Sequence, residues 1–326
     1  MPRPSLTKII LDLVEPDTHH RAVRSSDPIS VIGLGTIVVD HQVVLSEFPP
    51  SDTKCDIESD QYQVGGPVPT ALCLLVRLGA RATFHGRWAE DHFGEIIEAD
   101  LLQNNINFDP HPHSPDGRTG FAHVWLEKDT GCRTVAAFRG SHPIAPETVV
   151  PYHFTKHDAL HLDGWSGPAA ITAAKAMRAA DKPVYMDLGS PKPDLERLLE
   201  NVSCLNCPAR LIEQLFETKD LKKGARKLLA MGPAEITITS GQRGASLFTE
   251  NGNFSHPGFT VEAVDTNGAG DVFAGALVFA SLNQLPPQEK LSFACAAGAL
   301  KCQNLGNRDS LPFLEEIQEL AGLTHA

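Results

Sequence analysis

Short apolar strands alternate with longer helical segments along most of this 326-residue chain, and that alternation limits its fold more than any other feature. Residues 29–33, 159–162 and 236–239 are rich in aliphatic or β-branched side chains, as strands are. Residues 169–180 and 272–282 have the length and apolar spacing of helices. Repeated strand–helix–strand units place strands in parallel and cover both faces of the sheet. The sequence therefore predicts an α/β fold, a three-layer α/β/α sandwich with a mostly parallel central sheet.

Several β-like runs do not fit this alternation, namely residues 37–47, 60–64, 120–126 and 133–138. Because such runs can form a small sheet beside the main layer, we predict a β-sheet lid inserted from about residues 37–64 and 112–140. The polar, proline-containing residues 1–28 lack periodicity and predict a flexible N-terminal extension. One large domain is expected to follow over residues 29–326.

The charge and cysteine content argue against several classes of protein. With 40 acidic and 28 basic residues the net charge is −12, which disfavours a nucleic-acid or anionic-membrane partner. No apolar run approaches the roughly 20 residues of a membrane span, and no signal peptide is evident. Seven scattered cysteines are typical of reduced thiols, so we expect a cytoplasmic protein. We interpret Cys204 and Cys207 as thiols rather than as half of a zinc site.

The stretch Asp-Thr-Asn-Gly-Ala-Gly-Asp at residues 265–271 carries the clearest chemical signal. An apolar helix follows at once, so the backbone of Gly268, Ala269 and Gly270 would form an anion site at a helix N-terminus. Asp271 would lie on the first turn, where a carboxylate can accept a proton from an attacking hydroxyl group. Phosphoryl transfer to an alcohol requires positioning, charge stabilisation and one base. We therefore interpret this motif as catalytic rather than as a simple helix cap.

This motif resembles the C-terminal signature of the ribokinase-like (PfkB) carbohydrate kinases, and the resemblance covers roughly residues 29–315. It implies the ribokinase-like fold, with Asp271 as the catalytic base beside an anion hole formed by Gly268, Ala269 and Gly270. It also implies ATP and Mg²⁺ as cofactors, with room for a monovalent cation. The resemblance gives Asp265 a role in holding the nucleotide and its metal ion.

A second stretch resembles the N-terminal signature of the same family. Gly65 and Gly66 precede a predicted helix at residues 68–78, and two glycines allow a ligand to approach the backbone closely. The resemblance implies that Gly65, Gly66 and Thr70 bind the substrate. Thr70 stands where the family usually has asparagine, so this one contact departs from the pattern.

Two further residues resemble substrate-binding positions of the family. Asp40 is implied to be a substrate-binding carboxylate at the end of the first strand, with an ordinary turn residue as the alternative. Arg139, in the predicted lid, resembles a position used by fructokinase-like and keto-deoxy-sugar-acid kinases. It could bind a carboxylate or phosphate, whereas the alternative is a solvated strand arginine.

The turn at residues 239–244 follows a predicted strand and resembles the family's nucleotide-binding turn, which would involve Thr239, Gly241 and Gly244. Glycines at both ends suit a β-hairpin equally well. The turn at residues 86–94 also matches the family, and we expect its role to be structural. The family's Asn-x-x-Glu motif is missing, because Ala209 lies three residues after Asn206. The metal ligands therefore stay unknown.

Together these features predict ATP-dependent phosphorylation of a hydroxyl group on a small sugar or sugar acid. A nucleoside kinase of the same family is the alternative enzyme. A non-catalytic sugar- or nucleotide-binding protein is the alternative from another class, suggested by the missing motif. The β-like lid runs, together with the resemblance, predict a homodimer formed through the lid.

Overall fold

The structure is a computed structural model that describes residues 27–108, 113–114, 117–130 and 132–323. The predicted flexible extension at residues 1–28 lies outside these ranges except at its end. Within them, the strands are β1 (Ser30–Leu34), β2 (Val38–Leu45), β3 (Ser59–Gly65), β4 (Arg81–His85), β5 (Trp88–Ala89), β6 (Ile106–Phe108), β7 (His113–Ser114), β8 (Phe121–Glu127), β9 (Arg133–Phe138), β10 (Ala159–Leu162), β11 (Val184–Asp187), β12 (Cys204–Pro208), β13 (Glu235–Thr239), β14 (Ala245–Thr249) and β15 (Gly252–His256). The α-helices are α1 (Pro67–Arg77), α2 (His92–Gln103), α3 (Pro151–Thr155), α4 (Gly167–Ala179), α5 (Leu195–Leu199), α6 (Ala209–Phe216), α7 (Leu221–Leu229), α8 (Ala269–Leu282), α9 (Pro287–Lys301) and α10 (Leu314–Ala321).

The main sheet has nine strands in the order β15-β14-β13-β12-β11-β10-β1-β4-β6. Neighbouring strands from β13 to β6 pair in parallel. Among the described strands of this sheet, the antiparallel pairs are β13 with β14 and β14 with the edge strand β15. The predicted α/β fold with a mostly parallel central sheet is therefore confirmed.

Hydrophobic cores cover both faces of the main sheet. Successive side chains of a strand point to opposite faces, and β1 shows the consequence. Val31 packs in the core that includes Leu72 of α1 and Leu277 of α8. Its neighbour Ile32 packs in the other core, with Ala173 of α4. This arrangement is the predicted three-layer α/β/α sandwich.

A separate four-stranded sheet has the order β3-β2-β8-β9, and we call it the lid sheet. β2 pairs antiparallel with β3 and parallel with β8, and β9 forms a hairpin with β8. β2, β8 and β9 lie within the two segments that the sequence predicts for the lid, and β3 extends one residue beyond the first of them. Residues 112, 115, 116 and 131, in the second predicted segment, are outside the described residues.

Some elements were not predicted from the sequence. β12 was missed because its asparagine and proline resemble turn residues, although most of the strand is buried in the main sheet. β15 and α10 were missed because they are short. The position predicted for Asp40 was wrong: β1 ends at Leu34, and Asp40 is the third residue of the lid strand β2.

The direction of chain winding changes at β1, which lies between β4 and β10 in the main sheet. In open parallel sheets, ligands bind in the crevice beyond the carboxyl ends of the strands at such a point. The loops after β1 and β10 meet there, because the Thr36 N–H donates to the Asp163 Oδ2 at 2.7 Å. The topology thus places a binding crevice at this edge. No helix among the described residues has the length and apolarity needed to cross a membrane.

The turn at residues 86–94 connects the main layer to the lid sheet. Asp91 is the N-cap of α2, and its Oδ1 accepts from the Gly94 N–H at 2.9 Å. The same carboxylate accepts from the N–H and hydroxyl of Thr119, which precedes β8, at 2.9 and 2.6 Å. These hydrogen bonds hold the pKa of Asp91 below its usual value, against the effect of burial. Asp91 therefore stabilises the start of α2 and the path of the chain into β8.

We predict that Asp91→Ala lowers the free energy of unfolding by about 2–3 kcal/mol, because it removes a helix cap and two further hydrogen bonds to a carboxylate. Asp129→Ala, at an exposed turn position, is the matched control and should change stability by under about 0.5 kcal/mol. Urea denaturation of both variants tests this. Equal stability of the two variants would contradict the assigned role.

Candidate active site

The N-terminus of α8 presents open backbone to the crevice. The segment that leads into it, residues 265–270, is called here the anion loop. Gly268 is the N-cap and has φ 76°, a left-handed conformation that favours glycine. A Cβ on Gly270 would meet no atom within 4 Å, so a ligand can reach the backbone there. The first N–H groups of a helix have no partner within it, and the helix dipole attracts negative charge. Gly268, Ala269 and Gly270 thus occupy the predicted anion-site position.

Asp271 lies in the first turn of α8, directly after the anion loop, and is partly accessible to solvent. Burial raises the pKa of its carboxyl group to about 6, while the nearby cations of Arg133, Lys301 and Arg308 oppose that rise. A group with such a pKa is mostly deprotonated at neutral pH and still basic enough to accept a proton.

Asp40 of the lid strand β2 and Gly65 at the end of β3 lie in contact. A Cβ on Gly65 would be 2.2 Å from the Asp40 Oδ2, so only glycine fits at that position. The Asn307 Nδ2 donates to the same Asp40 oxygen at 3.5 Å. Burial, and then the negative charge of Asp271, raises the pKa of Asp40 to about 7. The structure therefore brings the two predicted carboxylates into one electrostatic environment.

The start of α1 also reaches the anion loop. Gly66 has φ 115°, and a Cβ there would be 2.4 Å from the Thr36 carbonyl oxygen. Thr70 is buried, and its methyl group would be 3.7 Å from a Cβ on Gly268. Its hydroxyl group accepts from the Arg308 Nη1 at 3.3 Å. Thr70 thus lies against the anion loop, whereas Gly66 lies against the loop after β1. Substrate binding by these two residues stays a prediction.

The loop after α9 supplies residues that sequence reasoning missed. Arg308 donates to both carboxylate oxygens of Asp100 and lies beside Thr70. The Asn307 N–H donates to the Gln63 Oε1 of β3 at 2.8 Å, and the Asn267 Nδ2 of the anion loop donates to the Asn307 Oδ1 at 3.3 Å. These two residues connect α2, the lid sheet and the anion loop. Their only sequence signal was a polar turn after a helix.

A further pair of polar residues lies at the carboxyl ends of β11 and β12. The Asn206 Nδ2 donates to the Asp187 Oδ1 at 2.8 Å, and the Asn206 Oδ1 is buried without a hydrogen-bond partner among the described residues. Burial, and then the charge of Asp271, raises the pKa of Asp187 to about 8. Within the described ranges no cluster of three His, Cys, Asp or Glu residues could hold a metal ion. Cys204 and Cys207 are free of disulfide bonds.

Asp265 is fully buried, and protein groups surround its carboxylate. Its Oδ1 accepts from the Asn267 N–H at 2.8 Å. Its Oδ2 accepts from the Gly306 N–H at 3.0 Å, the Lys301 Nζ at 3.2 Å and the Gln42 Nε2 at 3.3 Å. Because both carboxylate oxygens face protein donors, this residue fixes the shape of the anion loop from beneath. The expected role of Asp265 in holding the nucleotide and its metal ion stays a prediction.

The predicted nucleotide-binding turn joins the antiparallel strands β13 and β14, so the hairpin geometry is present. Thr239 ends β13, at the same edge of the sheet as Asn206. Gly241 has φ 59° and open space around its Cα. Gly244 has φ 81°, and a Cβ there would be 1.9 Å from the His256 carbonyl oxygen. The backbone packing of the hairpin therefore explains why this residue is glycine.

Arg139 follows β9, and its guanidinium lies 3.5 Å from the centre of the Trp165 ring. The Lys192 ammonium lies 3.4 Å from the same ring. A cavity of about 370 Å³ opens beside Trp165 and is also lined by Arg87 and His142. Burial lowers the pKa of Lys192 to about 8, although Asp163 opposes this shift. Arg139 therefore belongs, with Lys192, to a cationic cluster around Trp165 beside this cavity.

The chain matches the pfkB family of carbohydrate kinases over residues 29–314. Fructokinase-2 from Zea mays is 28% identical over 286 residues, which are 78% of this chain and 84% of that protein. Ribokinase from Bacillus subtilis is 24% identical over 291 residues, 88% of this chain and 97% of that protein. Both relatives are sugar kinases, that is, phosphotransferases.

Solved structures share the fold. Arabidopsis thaliana ribokinase, solved with ribose and ATP, superimposes with a TM-score of 0.78 at 22% identity and covers 91% of this chain and 100% of its own. Giardia lamblia ribokinase has a TM-score of 0.81 at 16% identity, with 90% and 99% covered. Because the family match extends from β1 to the start of α10, this chain belongs to the pfkB family of carbohydrate kinases.

Proposed function

We propose that this protein transfers the γ-phosphoryl group of ATP to a hydroxyl group of a small sugar or sugar acid, with Asp271 as the general base. The observation that carries the proposal is the placement of Asp271. It lies one residue beyond the open backbone of Gly270, and burial raises its pKa to about 6. A base beside an anion site is what phosphoryl transfer to an alcohol needs.

In this mechanism the anion loop and the lid sheet act on opposite sides of the reacting atoms. The N–H groups at the start of α8 bind the phosphoryl oxygens and stabilise their charge. Asp40, with Gly65, Gly66 and Thr70, binds and orients the acceptor sugar. Asp271 takes the proton from the acceptor hydroxyl group. At the same time the hydroxyl oxygen of the acceptor forms a bond to the γ-phosphorus, and the bond between that phosphorus and the ADP oxygen breaks. Closure of the lid sheet excludes water, which would otherwise compete as acceptor.

The residues present fit a nucleotide with a hard divalent cation. Thr239 and Gly241 lie at the carboxyl edge of the sheet, where an adenosine moiety could extend from the anion loop. The unpartnered Asn206 Oδ1 and the carboxylate of Asp187 are oxygen ligands suited to Mg²⁺ or its bound water. When bound, Mg²⁺ neutralises charge on the phosphates. Because Ala209 replaces a carboxylate, the phosphates themselves would supply most ligands.

Cationic side chains around the crevice favour an acceptor with negative charge. Arg133 and Arg308 act electrostatically on both Asp40 and Asp271. Arg139 and Lys192 flank Trp165 beside the cavity. Because guanidinium groups bind carboxylates well, a sugar acid is favoured over a nucleoside. A coupled assay of ADP release over neutral sugars, sugar acids and nucleosides tests this, with a chelator as the control for metal dependence. No turnover with any acceptor would favour the non-catalytic alternative.

We predict that Asp271→Asn lowers kcat by about 10²–10⁴-fold, because the amide cannot accept the proton. ATP binding should persist, since the N–H groups of the anion loop are unchanged. Asp194→Asn, at an exposed position remote in sequence, is the matched control and should retain kcat. Steady-state kinetics and calorimetric ATP titration provide the measurements. Near-normal turnover by Asp271→Asn would exclude the proposed base.

The raised pKa of Asp271 predicts an acid limb in the pH dependence of kcat/KM. The base must be deprotonated, so activity should rise with pH through about pH 6 and level off above it. Arg133→Met removes a cation that lowers the pKa of Asp271, so the limb should move to higher pH. Arg118→Met, which removes a lid arginine stacked on Phe121, should leave the limb in place. An unchanged limb in Arg133→Met would contradict the electrostatic assignment.

The edge of the lid sheet supports a homodimer. All six residues of the edge strand β9 are exposed, including Val135 and Phe138. An exposed apolar edge strand is a ready surface for pairing with another chain. We propose that two copies of the protein associate through the lid sheet.

We predict that Val135→Lys weakens dimerisation by at least about tenfold, because a charge would be buried in the contact. Val150→Lys, at a similarly exposed valine outside the lid sheet, is the matched control. Light scattering at micromolar concentration distinguishes the species. A wild-type monomer would refute the dimer, and an intact Val135→Lys dimer would exclude this surface.

A further inference from the structure

A lysine is completely buried beneath the anion loop. Lys301 is the last residue of α9, and both it and its partner Asp265 are 0% exposed. The Lys301 Nζ donates to the Asp265 carbonyl oxygen at 3.1 Å and to the Asp265 Oδ2 at 3.2 Å. Lysine is almost never fully buried unless it is paired. The ammonium group is therefore held by oxygen atoms of the residue that begins the catalytic motif.

The end of α9 forms the floor of the anion loop. The N–H groups of Val264 and Asp265 donate to the Cys302 carbonyl oxygen at 2.7 and 3.1 Å. A Cβ on Gly268 would be 3.6 Å from the Lys301 Cε, and a Cβ on Gly298 would be 3.3 Å from the Ala269 carbonyl oxygen. The side chain of Lys301 thus runs directly below the N-cap of α8, so its position and that of the loop are linked.

The charge of Lys301 acts on the reacting side of the loop as well. Its ammonium lowers the pKa of Asp271, opposing the effect of burial. Without it, Asp265 would keep only neutral hydrogen-bond donors, and Asp271 would keep only Arg133 and Arg308 as opposing charges. Carbonyl and carboxylate oxygens that converge on a single positive charge would suit a monovalent cation equally well. Here a side chain supplies that charge.

We propose that Lys301 is a positioning residue. Its tethered ammonium group neutralises Asp265 and holds the anion loop in place, a role that an exchangeable monovalent cation could otherwise fill. This inference rests on the proposed kinase function. It follows that turnover needs neither K⁺ nor NH₄⁺, because the oxygens of Asp265 already hold a cation that cannot dissociate.

The first test uses the wild-type protein. Initial rates are compared in K⁺ and in tetramethylammonium salts at equal ionic strength, and they should differ by less than about twofold, the size of a general salt effect. A rate that requires K⁺ or NH₄⁺ would overturn the proposal. If no acceptor is phosphorylated under either condition, the kinase assignment fails instead, and the melting experiment below still tests the cation.

The second test removes the ammonium group. Lys301→Ala should lower kcat by about 10²-fold, as expected for loss of a preorganised charge. K⁺, NH₄⁺ or methylammonium should restore part of the rate by entering the space that the side chain leaves. Lys301→Met fills that space and should not be rescued. Lys290→Ala removes a buried lysine that pairs with Glu235 at 2.8 Å, and it should acquire no cation dependence.

A melting experiment keeps the proposal testable without catalysis. K⁺ should raise the Tm of Lys301→Ala but not that of the wild type or Lys290→Ala. If Lys301→Ala does not fold, the double variant Asp265→Asn with Lys301→Met removes both buried charges together and should fold. A folded double variant with wild-type kcat, or a Lys301→Ala protein that is fully active and insensitive to cations, would overturn the proposal.

Discussion

The structure depends on how the charge of buried carboxylates is balanced at one edge of the main sheet. Asp40, Asp265 and Asp271 come from the lid strand β2, the anion loop and helix α8, and the first two are buried. A carboxylate removed from water is costly unless cations or hydrogen-bond donors compensate it. Different donors and cations surround each of the three carboxylates, and these differences determine what each carboxyl group can do.

Asp265 is compensated most completely, because a lysine ammonium and two backbone N–H groups donate to its carboxylate. Burial raises the pKa of both Asp40 and Asp271, and the charge of Asp271 adds to the rise at Asp40. Arg133 and Arg308 oppose the rise at both residues, and Lys301 opposes it at Asp271. The result is one fixed anion that shapes the loop and two carboxyl groups with pKa values near neutrality. The proposed proton acceptor Asp271 and the structural carboxylate Asp265 thus lie within one seven-residue motif.

The same hydrogen bonds join the lid sheet to the main layer. Gln42 of β2 donates to Asp265 and accepts from Gln61 and Gln63 of β3. Gln63 in turn accepts from the Asn307 N–H, in the loop after α9. At the edge of the lid sheet opposite β3, Arg133 of β9 donates to Thr266 in the anion loop. Movement of the lid sheet would therefore shift the anion loop, which is consistent with the proposed closure of the lid sheet over the substrate.

The sequence by itself determined the layers of the fold and the local features of the site. Hydrophobic periodicity predicts which face of a helix or strand is buried. Glycines followed by an apolar helix predict an anion site at the helix N-terminus, so the sequence alone indicated the positions of Gly268 and Asp271 at the start of α8. Contacts between segments that are distant along the chain produce no local sequence pattern from which they could be predicted. Asp40 was expected at the end of the first strand, although residues 29–33 and 37–47 already formed separate β-like runs in the sequence; β1 ends at Leu34, and β2 belongs to the lid sheet. Asn206, Arg308 and Lys301 looked like ordinary polar residues until folding brought them, from a strand, a loop and a helix end, near residues 265–271. Only the tertiary structure decided their roles, because burial and electrostatic balance depend on what surrounds a side chain and not on its neighbours along the chain.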